Sequence, residues 1–322
     1  MIKVEHLTKY YGDFLAVKDL SFDIEKGHVY GFLGPNGAGK TTTMNIMTGC
    51  LSATSGHVLI DGYDIFEEPD RAKRLIGYLP EHPPLYMNET PLEYLRFVGE
   101  VKGIKGVELS QQIEHVVEVV RIDNVKERRI ADLSKGYKQR VGIAQALLGF
   151  PEVIILDEPT VGLDPIQIIE IRDLIQSLGK AHTVILSSHI LSEVQVMCEK
   201  IMIISHGQLV AFDTPEKLEQ NLLASAEIHL VTDATANKVK QILSSLEGIT
   251  NVTIDDREND QFLNACLAVG NEDLYDISRR IFFAFAECGV PLLEINLTKA
   301  SLEDIFIELT DNERIASDDV EK

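Results

Sequence analysis

"GPNGAGKTTT" (residues 34–43) follows the apolar run "HVYGFL" (28–33) and leads into a stretch carrying Met44, Ile46 and Met47 at helical spacing. Gly34, Gly39, Lys40 and Thr41 satisfy the pattern G-x-x-x-x-G-K-[ST]. A strand, a glycine-rich turn and a helix opening near Lys40 together make a phosphate cradle. The glycines let the loop turn its N–H groups inward, and the helix N-terminus adds a dipole that favours anions. In such a loop Lys40 reaches the β- and γ-phosphates, Thr41 offers its hydroxyl to Mg²⁺, and Thr42 meets the α-phosphate. The plain alternative is a glycine-rich turn with a solvated lysine.

Two further segments bear on that choice. In "EVIILDEPT" (152–160), four apolar residues carry Asp157 and Glu158 to the carboxyl end of a buried strand. Ligands of open α/β sheets bind at that edge. Asp157 is then placed to hold Mg²⁺ through its water shell, and Glu158 to orient or deprotonate an attacking water. As mere caps of a following helix the two acids would have no such role. "TVILSSH" (183–189) delivers His189 to the same edge. A histidine after a strand is by itself an ordinary surface or capping residue, and its weight comes from being the third strand end to converge there. Nearly continuous apolar runs of this kind suit parallel strands buried on both faces, so the fold class is α/β.

The chain has 322 residues, 45% hydrophobic and 25% charged, enough apolar mass for one large domain and a smaller companion. Its formal charge of −21 argues against a nucleic-acid partner, which would call for a basic face. Every apolar run falls short of the roughly 18 residues that cross a bilayer, and "MIKVEHLTKYYGD" lacks the layout of a signal peptide. Any membrane is then reached through a partner. Cys50, Cys198, Cys266 and Cys288 lie far apart with no C-x-x-C pair, so neither a disulfide framework nor a zinc site is expected, and a reducing cytosol is the simplest setting.

Residues 1–215 read as the large domain. It contains a helical subdomain at about 83–150, with "LEYLRFVGEVKG" and "IEHVVEVVRI". "AFDTPEKLEQN" (211–221) reads as a turn and a linker helix over 216–224, with Asp213 or Thr214 as cap and Pro215 at the first position. Residues 225–310 then follow a β-α-β-β-α-β pattern. Val239, Ile242, Leu243 and Leu246 share one helical face, as do Leu274, Ile277, Ile281 and Phe285. "SLEDIFIELT" opens with a capping-box-like Ser301…Asp304, and 311–322 reads as a frayed acidic tail. This small α+β domain shows no polar constellation that would make it catalytic. A dimerisation pad, a sensor and a docking element all remain open for it.

"LSKGYKQRVGIAQALLGFPEVIILDEPTVGLDP" (133–165), together with the loop at 34–43, resembles the ABC-transporter ATPases: a signature, a Walker B strand and a D-loop in the family's order. The resemblance covers about 1–215. It implies a P-loop NTPase of ABC type, with a mixed sheet, an antiparallel edge sub-sheet and an inserted helical subdomain, followed here by the small α+β domain. It also implies ATP and Mg²⁺ as ligands. Carried over by position, Tyr11 in "KYYGDF" matches the aromatic that stacks on adenine, with Tyr10 a near competitor. Gly34, Pro35, Asn36, Gly37, Ala38, Gly39, Lys40, Thr41 and Thr42 match the phosphate loop. Asp157 matches the magnesium acid, Glu158 the catalytic glutamate, and His189 the contact to the γ-phosphate. Gly162, Leu163 and Asp164 match the D-loop. Ser134 and Gly136, ahead of a helix beginning near Tyr137, match the contacts made to a second subunit's nucleotide.

Two departures stand out. Glu81, in "IGYLPEHPPLY" (76–86), occupies a position where most relatives have glutamine. It could meet the metal or its waters, yet it adds negative charge beside the γ-phosphate. Lys135 and Tyr137 replace the usual glycine and glutamine of the signature. Lys135 either supplies positive charge near the partner's nucleotide or is simply solvated.

A signature helix remote from its own phosphate loop implies two copies packed head-to-tail about a two-fold axis, enclosing two ATPs. The resemblance further implies an integral membrane permease as partner and a cytoplasmic location on the inner face of the membrane. "GYLPE", "PTVGLDP" and the ending "LTKASLEDIFIELT" resemble the bacterial exporter branch that includes the gliding-motility-associated transporter ATPase. An importer ATPase shares the same chemistry. A soluble ABC ATPase of the ribosome is the other alternative, though one nucleotide module and an acidic chain stand against it. For permease docking, Leu85, Tyr86, Leu92 and Tyr94 are candidates to line a groove, with Leu95 and Phe97 expected in the subdomain's own core.

Overall fold

The structure is a computed structural model that describes residues 2–221, 226–246, 248–255, 263–269 and 274–298. The described chain divides into two compact units, with the boundary in sequence between Pro215 and Glu216.

The first unit opens with a hairpin. β1 (Ile2–Tyr11) and β2 (Phe14–Ile24) turn at Gly12 and Asp13 and pair from Tyr11↔Phe14 to Ile2↔Ile24. β3 (Val29–Leu33), buried along its whole length, runs into the glycine-rich loop and α1 (Lys40–Met47). β4 (Ser55–Ile60) and β5 (Tyr63–Asp64) return to the hairpin and complete an antiparallel sheet of order β2-β1-β4-β5. After α2 (Pro69–Arg74) and β6 (Ile76–Leu79) come α3 (Pro91–Val101), α4 (Gly106–Val119) and α5 (Lys135–Leu147), the helical insertion. β7 (Val153–Leu156), α6 (Pro165–Gly179), β8 (Thr183–Ser188), α7 (Leu191–Met197), β9 (Lys200–Ser205) and β10 (Gln208–Asp213) finish the unit.

The second sheet has the order β10-β9-β3-β8-β7-β6. All neighbours are parallel except β10, which pairs antiparallel with β9 at the edge. β3, β7 and β8 are completely buried, which is why their sequences read as unbroken apolar runs. The core spans both sheets, with Phe22 and Phe32 edge to face at 5.5 Å and Met44, Ile46 and Met47 of α1 among the buried side chains.

Helix boundaries follow their caps. Thr90 closes a capping box with Glu93 at the start of α3. α5 begins at Lys135, two residues before the position expected from the sequence, because the Ser134 side chain accepts from the Tyr137 N–H and serves as its N-cap. The expectation for Phe97 also fails. α3 buries Pro91, Tyr94, Leu95 and Gly99, and Phe97 lies about 200° round the helix from Leu95. It is 45% exposed and stacks at 5.2 Å against the exposed Tyr86.

α8 (Pro215–Asn221) follows β10, with Asp213 accepting from the Thr214 N–H. In the second unit β11 (Ala226–Thr232), α9 (Ala236–Leu243), β12 (Ile249–Asp255), β13 (Leu263–Val269), α10 (Leu274–Glu287) and β14 (Leu292–Thr298) alternate as β-α-β-β-α-β. The antiparallel sheet has the order β12-β13-β11-β14, the ferredoxin-like arrangement. Val239, Ile242 and Leu243 of α9 and Leu274, Ile277, Ile281 and Phe285 of α10 pack on it. Ser301…Asp304 and the tail 311–322 lie outside the described residues.

Candidate nucleotide site

Three parallel neighbours build the site. β3, β8 and β7 lie side by side, with Leu33↔Ser188 and Leu186↔Leu156 in register, so Gly34, His189 and Asp157–Glu158 leave the sheet at one edge. β6 pairs with β7 through Leu79↔Leu156, and the Asp157 N–H donates to the Leu79 carbonyl at 2.9 Å. Glu81 therefore arrives at the same edge.

The loop is held open by glycine. A Cβ on Gly34 would stand 2.3 Å from the Ile204 carbonyl oxygen, so only glycine lets the loop leave β3 beside β9. Gly39 caps α1 with φ +101°, a conformation disfavoured for residues with a side chain. Lys40 folds back and donates to the Gly34 and Pro35 carbonyls at 2.7 and 3.2 Å. Its ammonium also lies 3.7 Å from Glu158. Burial holds the Lys40 pKa below its ordinary value, against the pull of Glu158 and Asp157.

Asp157 is completely buried. Its Oδ1 accepts from Ser187 at 2.6 Å and from Thr41 at 3.3 Å, while its Oδ2 is buried with no hydrogen-bond partner. Desolvation pushes its pKa above the usual carboxylate value, with the Ser187 and Thr41 hydrogen bonds opposing. An orphaned anionic oxygen, with a threonine hydroxyl bonded to the same carboxylate, is the donor set that a hard divalent cation takes. Thr41 and Asp157 thus fit Mg²⁺.

Glu158 sits at φ +47°, rare for a non-glycine residue. After this kink its carboxylate meets Lys40 and His189. His189 Nδ1 lies 3.0 Å from the Glu158 carboxylate, and the Glu158 N–H donates to Ser187 at 2.8 Å. Ser187, buried and bonded to both acids, was not singled out from the sequence. Its signal was weak: it is the first of two serines that end β8, and its hydroxyl meets acids that follow the neighbouring strand β7.

Tyr11, Phe14, Ala16, Asn36, Gly37, Gly39, Lys40, Thr41, Thr42, Glu81, Glu158, Val161 and His189 line a cavity of about 310 Å³. Tyr11 is in that lining and Tyr10 is not. Phe14, paired across the hairpin from Tyr11, is a second aromatic that the sequence reading missed. Asp157 is not part of the lining; it lies beneath it, bonded to Thr41.

Ser134, Gly136 and Asp164 are brought together elsewhere. With Arg121, Asn124, Tyr137 and Arg140 among others they line a separate cavity of about 530 Å³ that shares no residue with the first. Asp164 caps α6 by accepting from the Gln167 N–H at 2.9 Å. Lys135 is outside this lining. Its ammonium lies over Gly162, within 2.5 Å of where a Cβ would stand, so the signature and the D-loop touch within one chain.

A glycine-rich loop at a helix N-terminus, a buried acid bonded to the loop threonine, and a second acid facing the loop lysine define a nucleoside-triphosphate site of P-loop type. Comparison with known proteins narrows the class. The family described as "ABC transporter" matches residues 17–161. The bacitracin transport ATP-binding protein BcrA of Bacillus licheniformis is 36% identical over 96% of this chain and 97% of its own. The linearmycin resistance ATP-binding protein LnrL of Bacillus subtilis is 32% identical over 96% of this chain and 98% of its own. Among solved structures, a dimeric bacterial ABC transporter cassette superposes with a TM-score of 0.60 and 26% identity, over 66% of this chain and 98% of that one. The chain belongs to the ATP-binding subunits of ABC transporters, an ATPase family.

Proposed function

We propose that this ATPase works as a head-to-tail homodimer and drives a separate membrane permease of exporter type. The observation that supports this most directly is the separation of the two cavities: the phosphate loop and acids line one, the signature residues the other. Two copies related by a two-fold axis let each signature cavity close over the partner's nucleotide. A solved relative is itself dimeric.

Within each site, adenine stacks on Tyr11 and Phe14, and the N–H groups of residues 36–42 with Lys40 hold the phosphates. Thr41 and Asp157 would hold Mg²⁺, with Glu81 lining the same cavity; when bound, the metal would neutralise charge on the phosphates. Lys40 gives up its two carbonyl partners and turns to the β- and γ-phosphates. Glu158 takes a proton from, or orients, the attacking water, and His189, already bonded to Glu158, contacts the γ-phosphate. The partner's Ser134 and Gly136 complete the enclosure. Lys135, the departure at the signature, does so only after leaving Gly162.

Among the described residues no helix is long and apolar enough to cross a membrane. The subunit would therefore sit against the inner face of the membrane through the permease. The exposed Tyr86 and Phe97, packed ring against ring, present the apolar surface for a permease helix. Export is supported by full-length relatives named for bacitracin transport and linearmycin resistance. The test is affinity isolation of Glu158→Gln protein with ATP and Mg²⁺ from gently solubilised native membranes. Near-stoichiometric recovery of a polytopic membrane protein supports the proposal; recovery of ribosomes, or of a dimer alone, sinks the permease part.

Two results check the roles at the site. Tyr11→Ala should weaken ATP·Mg²⁺ binding by about ten- to a hundredfold, the worth of one base–aromatic stack, whereas Tyr10→Ala should change it little. Equal losses would move the base away from Tyr11. Asp157→Asn should raise the melting temperature of the nucleotide-free protein by about 2–4 °C. A raised carboxylate pKa means that ionisation opposes folding. The cost sets in as pH rises above the ordinary carboxylate value and grows until pH passes the raised one, and the amide removes it. The same variant should lose the further stabilisation that ATP·Mg²⁺ confers. A destabilised Asp157→Asn protein at pH 7 would contradict this account.

A further inference from the structure

Glu81 reaches the cavity by a route of its own, from the end of β6, and meets a site already rich in acid. Glu81 and Glu158 both line the cavity, and Asp157 lies directly beneath, against Thr41. Lys40 is the one lysine or arginine in that lining, and its ammonium is already 3.7 Å from Glu158. The His189 ring is likewise engaged with Glu158, at 3.0 Å. The base nearest Glu81 is His82, at 3.9 Å with a 90% exposed side chain. Three carboxylates against one ammonium leave the site negative before a triphosphate approaches. The positive end of α1 offsets only about half a charge.

We propose that Glu81 makes nucleotide affinity conditional on a divalent cation: its carboxylate repels the bare triphosphate and attracts the metal–nucleotide pair. The inference rests on the nucleotide reading above. Its physical basis is one sign change. Without the cation, the Glu81 charge shares the cavity with the triphosphate and adds to the repulsion from Glu158 and Asp157. With the cation between them, the same charge becomes attractive. At an effective dielectric of about 20, one charge within about 10 Å changes affinity by roughly ten- to thirtyfold, and screening at a partly exposed side chain brings this to about tenfold.

A cell rich in free nucleotide gains from such a device, since the loop is not occupied by ATP that lacks the ion needed for turnover. The glutamate need not be a better metal ligand than an amide to matter: it acts by excluding the metal-free ligand.

The experiment is direct titration of the full-length chain with a fluorescent ATP analogue, once in Mg²⁺ and once in EDTA, for wild type, Glu81→Gln and Glu81→Asp. The expected result is that Glu81→Gln raises metal-free affinity about tenfold and so narrows the Mg²⁺-to-EDTA ratio by at least that factor. Glu81→Asp, which keeps the charge, should retain the wild-type ratio. An unchanged ratio in Glu81→Gln overturns the inference, as does a ratio that narrows only because Mg²⁺-dependent affinity falls. A wild-type chain that binds no analogue even with Mg²⁺ overturns the nucleotide reading itself, and with it this inference.

Discussion

Replacing Glu158 by glutamine should lower ATP hydrolysis by about 10²–10⁴-fold while leaving ATP·Mg²⁺ bound, and should convert a transient dimer into one that survives size-exclusion chromatography in ATP. The substitution keeps the shape and removes the base. Glutamine can still accept from His189 and remain at the left-handed position after β7, because neither depends on charge. It also removes the anion 3.7 Å from Lys40, so the ammonium is freer to turn to phosphate and nucleotide affinity should hold or rise. Steady-state turnover together with nucleotide retention separates these effects. Undiminished hydrolysis by the glutamine variant would remove Glu158 from the mechanism.

A second large effect tests the division of the site between two chains. Lys40→Ala should abolish hydrolysis by loss of phosphate contact, and Gly136→Asp should do so by placing an acid at the signature, where a Cβ already meets the Gln167 side chain at 2.8 Å. Each homodimer then has a defect in both sites. Mixed before assembly, half of the dimers are heterodimers in which both defects fall in one site and the other site is intact. Activity should therefore recover to about a quarter of wild type, given random pairing and independent sites. If phosphate loop and signature of one chain served the same nucleotide, mixing would restore nothing.

Much of the site was legible in the sequence because its parts are local. A glycine-rich loop needs its glycines where the backbone turns to phosphate, and a buried parallel strand needs an unbroken apolar run, whatever else the chain does. Lys40, Thr41, Asp157, Glu158 and His189 were legible for that reason, and the β-α-β-β-α-β order of the second unit followed from periodicity alone. The boundary of α5 was misplaced by two residues because a serine N-cap lets the helix start immediately after it. Phe97 was misplaced because helical phase, more than hydrophobicity, decides which side of α3 faces inward.

What the sequence by itself determined is the chemistry: a phosphate loop, two acids and a histidine at strand ends, a signature, and their order along the chain. The tertiary structure alone decided their meeting. It set β3, β8 and β7 side by side, so that three distant segments share an edge. It put Tyr11, already favoured over Tyr10 by the family's pattern, in the cavity lining, and added Phe14 through the hairpin register. It bent the chain at Glu158 and placed Ser187 between the two acids, a hydrogen-bond relation across neighbouring strands that no local pattern encodes. It also brought Glu81 into a cavity with one ammonium, and so turned a single departure from the family's pattern into a question of charge balance.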